Sequence, residues 1–118
     1  EARHTLADLF ADLGAHSIDR YVKPFAGAEG RDALVAHLLA LDAAETAALE
    51  PRLASFVQPT AVVWGAHDPF LPPSIGKRLQ ETIPGATLDL IADARHFTPE
   101  ESPEHVARTI GALLLRAE

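Results

Sequence analysis

Pro59-Thr60-Ala61-Val62-Val63-Trp64-Gly65-Ala66-His67-Asp68-Pro69-Phe70-Leu71-Pro72 decides how this chain folds. Pro59 ends whatever precedes it. Ala61 to Trp64 is a short apolar run with two β-branched residues and an aromatic, closed by Gly65. A run of that length between Pro and Gly reads as a strand buried on both faces, the kind found in parallel sheets covered by helices on either side. Asp68 falls in the turn that follows, braked by Pro69 and by Pro72-Pro73. Open α/β sheets place working residues just past the carboxyl ends of their strands, so Asp68 is the first candidate.

Downstream the pattern continues helix, strand, helix. Ser74 to Ile83 places Ile75, Leu79 and Ile83 in line and is stopped by Pro84-Gly85. Thr87 to Ile91 partly alternates, as an edge strand does. Asp93-Ala94-Arg95-His96-Phe97 is the loop after it. Ser102 is expected to cap a last helix with Pro103 at its first position and Val106, Ile110, Leu113 and Leu114 on its buried face. Residues 60 to 91 thus form one βαβ unit with a right-handed crossover.

Upstream the chain is rich in Ala and Leu and reads as helical. Leu6, Leu9, Phe10 and Leu13 form one apolar stripe, ended by Gly14. Ser17 to Phe25 reads as a short helix ending near Pro24, and Ala26 to Gly30 as a loop. Leu34, Val35, Leu38 and Leu41 form a second stripe. Asp42 is placed to cap the next helix, with Glu45 completing a capping box. Pro51 breaks or restarts that helix.

Composition narrows the function classes. The chain has 118 residues, 47% of them apolar, and a net charge of -7, which fits one globular domain or a piece of one. The acidic balance and the lack of a Lys/Arg cluster argue against a nucleic-acid partner. No apolar run is long enough to span a membrane, so no membrane partner is expected. With no Cys there is no disulfide frame, and a cytoplasmic setting is expected. A start at Glu1-Ala2-Arg3 with no Met anywhere suggests processing or truncation.

The chemistry follows from the βαβ geometry. Parallel neighbours end on the same edge of a sheet, so the loop carrying Asp68 and the loop carrying His96 can meet. A carboxylate bonded to one imidazole nitrogen fixes the tautomer and leaves the other nitrogen to take a proton. A nucleophile is missing: Ser17, Ser55, Ser74 and Ser102 all lie outside any G-x-S-x-G elbow. His67 reads as a solvent-facing loop residue, and His4, His16, His37 and His105 as surface or boundary residues. No two His stand at H-x-x-x-H spacing, so no metal is expected, and no cofactor is expected either. Trp64 reads as core. Phe70, Leu71 and Phe97 either line an apolar substrate pocket or pack beneath a cap. Glu100-Glu101 reads as a solvated helix entry.

Val62-Val63-Trp64-Gly65-Ala66-His67-Asp68-Pro69-Phe70-Leu71-Pro72, then Ile83-Pro84-Gly85-Ala86, then His96-Phe97 with Pro99-Glu100-Glu101 and Pro103, resembles the C-terminal part of an α/β-hydrolase. The branch it is most similar to holds epoxide hydrolases, haloalkane dehalogenases and related esterases. The resemblance implies an α/β fold: residues 59–118 as the C-terminal portion of the hydrolase core, with the seventh and eighth strands and the last helix, preceded by a helical cap-like segment over 1–58. It also implies that Asp68 is the catalytic acid and His96 the catalytic base of a nucleophile–His–acid hydrolase. The substrate would be a small molecule with an ester, epoxide or similar bond. The family usually carries Gly just before the His, where this chain has Arg95. The first strands, the oxyanion-hole loop and the nucleophile elbow have no counterpart here. This chain alone is therefore expected to be inactive, its partner being the missing N-terminal portion or a second copy. The alternative is a non-catalytic interaction or dimerisation module derived from the same fold.

Overall fold

The computed structural model describes residues 15–116. The stripe Leu6 to Leu13 with its Gly14 stop lies outside them. Two strands, β1 (Ala61–Gly65) and β2 (Thr87–Ile91), pair in parallel, with Ala61 beside Thr87 and Gly65 beside Ile91. Eight helical segments are described around them. Before the sheet come α1 (Ala15–Val22), a 3-10 turn (Lys23–Phe25), α2 (Ala28–Leu39), α3 (Ala43–Ala47) and α4 (Glu50–Leu53). Between the strands lies α5 (Pro73–Thr82), and after them α6 (Thr98–Glu101) and α7 (Pro103–Leu115). None of the described helices is long and apolar enough to cross a membrane.

The core sits where α5 crosses the sheet. Val62, Ile83, Ala86, Ile91 and Ala94 are buried. A Cβ at Gly76 of α5 would stand 3.0–3.1 Å from the indole ring of Trp64, so glycine is what lets the helix lie this close to β1. The indole N–H donates to the Leu71 carbonyl at 2.9 Å, which ties the strand to the loop that follows it.

The packing is thinner than the sequence suggests. In β1 only Val62 and Gly65 are buried, while Ala61, Val63 and Trp64 are half-buried. A parallel strand is sealed on both faces when it has neighbours on both edges, and among the described residues β1 has β2 alone. The final helix departs from expectation in the same way. Val106 and Leu113 are half-buried, but Ile110 and Leu114 are exposed. In α2 and just beyond it, Leu34 is half-buried while Val35, Leu38 and Leu41 are exposed, leaving most of that stripe without cover.

Local signals were kept or overruled for identifiable reasons. The Asp42 carboxylate accepts from the Ala44 N–H at 2.8 Å and caps α3. Pro51 restarts the helix in the first turn of α4. The loop expected over Ala26 to Gly30 is shorter, because α2 already begins at Ala28. Gly30 is there for close approach, since a Cβ would meet the Pro24 carbonyl oxygen at 2.1 Å. Ser102 precedes α7, but its side chain makes no cap bond. Its backbone is shared between two helices: its N–H donates to the Thr98 carbonyl and its carbonyl accepts from Val106.

Candidate functional site

Flush register brings β1 and β2 to the same edge, Gly65 beside Ile91. The two loops that leave this edge interlock. Ala66 N–H donates to the Ile91 carbonyl at 3.0 Å and His67 N–H to the Ala94 carbonyl at 3.1 Å. A Cβ on Gly65 would lie 1.8 Å from the Arg95 carbonyl oxygen, so the second loop passes where any other residue would block it. Arg95 itself is accommodated, since no non-glycine residue among those described has a positive φ.

Within this knot His96 Nδ1 stands 2.8 Å from Asp68 Oδ2. The Asp68 side chain is 4% exposed and that of His96 28%. The two carboxylate oxygens have separate tasks. Oδ1 accepts from the N–H groups of Phe70 and Leu71, both at 2.9 Å, which folds the loop around it; Oδ2 faces the imidazole. Burial pushes the Asp68 carboxyl upward, but the N–H groups of Leu71 and Phe70 and the contact with His96 outweigh it and hold the group below the ordinary value of 3.8. An ionised carboxylate only accepts, so Nδ1 carries a proton, and in a neutral imidazole Nε2 is then the nitrogen with the lone pair.

Phe70 and Phe97 stand edge-on to the imidazole, with ring centres 5.9 Å and 5.0 Å away. Leu71 lines a cleft of about 120 Å³ with Trp64, Asp68, His96 and Thr98; Phe70 is largely exposed. Tyr21 of α1 lies over Phe97, ring centres 5.6 Å apart, and its hydroxyl donates to the Glu100 carboxylate. The helical segment before the sheet therefore touches the loop that carries His96. His67 is exposed, as expected.

Two features escaped the sequence reading. Glu101 is not a solvated entry residue: its Oε2 accepts from the Arg95 N–H at 2.8 Å and its Oε1 from the Phe97 N–H at 3.0 Å. His105 is not a plain surface residue either. Its Nε2 lies 3.0 and 2.9 Å from the two oxygens of Asp89, and the Thr109 hydroxyl donates to the same carboxylate at 2.5 Å. This second pair ties α7 to the middle of β2. It borders a wider cleft, about 630 Å³, lined also by Asp93, Glu104 and Arg108, in which neither Asp68 nor His96 takes part. Neither Glu101 nor His105 carries a local signal in the sequence that marks its contact.

The alpha/beta hydrolase fold family matches residues 9–103, and the chain belongs to that family. It is 36% identical over 63 residues to the uncharacterized hydrolase YugF of Bacillus subtilis, a match covering 52% of this chain and 23% of that protein. It is 34% identical over 67 residues to a 2-hydroxy-6-oxononadienedioate/2-hydroxy-6-oxononatrienedioate hydrolase of Klebsiella pneumoniae, covering 57% of this chain and 23% of the relative. It is 37% identical over 54 residues to haloalkane dehalogenase 2 of Mycobacterium tuberculosis, covering 45% and 19%. Among solved structures, a thermophilic esterase from Thermogutta terrifontis shares 32% identity with a TM-score of 0.55 over 58% of this chain and 25% of that one. An esterase from Exiguobacterium antarcticum covers 94% of this chain and 40% of its own, with a TM-score of 0.66 at 17% identity, a likeness of fold. The chain thus spans about a quarter of the length of the curated relatives it matches.

Proposed function

We propose that this chain carries the acid and the base of an α/β-hydrolase that cleaves an ester, epoxide or similar bond in a small molecule. The observation that carries the reading is the 2.8 Å contact between His96 Nδ1 and a buried, ionised Asp68 at the carboxyl edge of two parallel strands. His96 Nε2 takes the proton of an attacking hydroxyl or water. The imidazolium that forms is held by Asp68 through Nδ1–H, and the proton then passes to the leaving group. A Ser nucleophile would be deprotonated directly. With an Asp nucleophile the same nitrogen would activate the water that releases the covalent intermediate.

In this reading residues 1–58 act as a cap-like segment over the 59–118 core portion; the Tyr21–Phe97 stack supports that division. Phe70, Leu71 and Phe97 form the apolar surround of the reacting bond. Nucleophile and oxyanion donors come from a segment beyond these residues, and a cytoplasmic setting fits the cysteine-free composition.

In the intact protein His96→Ala is expected to lower kcat for p-nitrophenyl acetate by roughly 10³-fold or more while the fold persists. The 118-residue chain alone is expected to hydrolyse that ester no faster than free imidazole does. Full activity in folded His96→Ala protein would show that another group is the base.

A second reading has its own support. Leu39, Val57 and Leu115 are 82%, 77% and 77% exposed, large apolar side chains in water of the kind a module whose role is association presents. Turnover that disappears with His96→Ala separates the hydrolase from the module.

A further inference from the structure

We infer that Glu101 is a positioning residue for His96, a role that rests on reading His96 as the base. The loop from Ala92 to Phe97 has no regular structure of its own, so something must fix the backbone that carries the imidazole. The Glu101 carboxylate spans the two N–H groups on either side of His96, Arg95 at 2.8 Å and Phe97 at 3.0 Å. A carboxylate has two acceptor oxygens held in one plane, and its bonds to N–H groups are charge-assisted. One side chain therefore grips residues 95 and 97 together and brackets the backbone of the residue between them.

The grip is reciprocal. The N–H groups of Glu100 and Glu101 donate to the Phe97 carbonyl at 2.9 and 3.0 Å, so α6 is built on the same residue that its fourth side chain holds. The logic is that of a capping box, in which a side chain in the first turn reaches back to the N-cap N–H, extended here to a second N–H beyond the functional residue. His96 is thus held at both ends: its backbone by Glu101 and its Nδ1 by Asp68. Gly65, under the Arg95 carbonyl, lets the loop sit low enough for both contacts.

A carboxylate that merely capped α6 would affect stability alone. A positioning carboxylate also governs where the imidazole sits, and a displacement of about 1 Å at a reacting group can cost about 10²-fold in rate. In the intact protein, Glu101→Ala is therefore expected to lower kcat for p-nitrophenyl acetate by about 10²-fold with KM changed less than about twofold. The same variant is expected to broaden or abolish the downfield Nδ1–H resonance of His96 in protein labelled with ¹⁵N-histidine. Glu101→Gln keeps one acceptor oxygen and should fall between wild type and Glu101→Ala in both readouts. Should Glu101→Ala fail to fold, the isosteric Gln variant carries the comparison. A folded variant with its His96 resonance unshifted and kcat within about twofold of wild type overturns the inference. His96→Ala in parallel keeps the two readings apart: if it stays active, His96 is not the base, while the resonance comparison still decides what Glu101 holds.

Discussion

Replacing Gly65 by Ala tests whether the meeting of Asp68 and His96 depends on the two loops interlocking. The new Cβ would stand 1.8 Å from the Arg95 carbonyl oxygen and 2.7 Å from that of Ala94. Both obstacles are backbone, so no side-chain rotation relieves them. The loop must recede by more than 1 Å before the nearest contact reaches 3.0 Å, the limit that real Cβ atoms observe. Such a movement breaks the Ala66–Ile91 and His67–Ala94 hydrogen bonds, each worth about 1 kcal/mol, and adds overpacking strain of about 1 kcal/mol or more. The expected loss is about 3 kcal/mol of unfolding free energy. It also carries His96 Nδ1 away from Asp68. Urea denaturation of the intact protein measures the first effect, and the His96 Nδ1–H resonance reports the second. Gly111→Ala is the control: it lies inside α7, its Cβ would meet nothing within 4 Å, and it should stabilise by up to about 1 kcal/mol. A Gly65→Ala protein within about 0.5 kcal/mol of wild type, with the resonance intact, would refute the reasoning.

Asp89 is held below the ordinary carboxyl value of 3.8, first by the Thr109 hydroxyl and against the effect of burial, with His105 and Arg108 adding to the shift. A depressed folded-state value means that the contribution is complete above about pH 4 and fades as pH falls through the folded value. Thr109→Val removes the largest cause, so acid unfolding followed by circular dichroism should begin at higher pH in the variant; coincident curves would count against the assignment. The 118-residue chain alone is expected to associate through the edge of β1 that no described strand pairs, two copies setting these strands antiparallel across a two-fold axis. Light scattering that finds a stable, folded species at single-chain mass, at micromolar concentration, would dispose of that idea.

What could be read from residues alone was whatever is written in local punctuation. Pro59 and Gly65 frame β1, and Pro84-Gly85 separates α5 from β2. The flush parallel pair then follows, and with it the meeting of Asp68 and His96. Contacts that cross elements were not legible. Nothing in Pro99-Glu100-Glu101 distinguishes a carboxylate in water from one folded back on two N–H groups. Asp89, His105 and Thr109 lie on a strand and a helix whose facing sides no periodicity reveals. Gly30 looked like a loop residue because glycine in a helix usually weakens it; its reason, the Pro24 carbonyl, is a tertiary contact. Exposure differs from expectation in the last helix, where Ile110 and Leu114 belong to the apolar face yet stand exposed. An amphipathic pattern states that a face is to be covered and is silent on whether this stretch of chain covers it.

The flush ending of β1 and β2 also divides the sheet into two rims with different tolerances. The candidate proton carriers gather at one rim. At the other rim the polypeptide reverses at Pro84-Gly85, two exposed residues between the buried Ile83 and Ala86, where Gly85 adopts a φ of 73°. That reversal is the place to graft a peptide tag or to cut and re-splice the gene for a split reporter. Extra residues there enlarge a solvent-facing bend at modest entropic cost, and they sit a full strand length from the imidazole. An engineer who reached for the Asp68 or His96 rim instead would be disturbing the proposed proton carriers along with the connection.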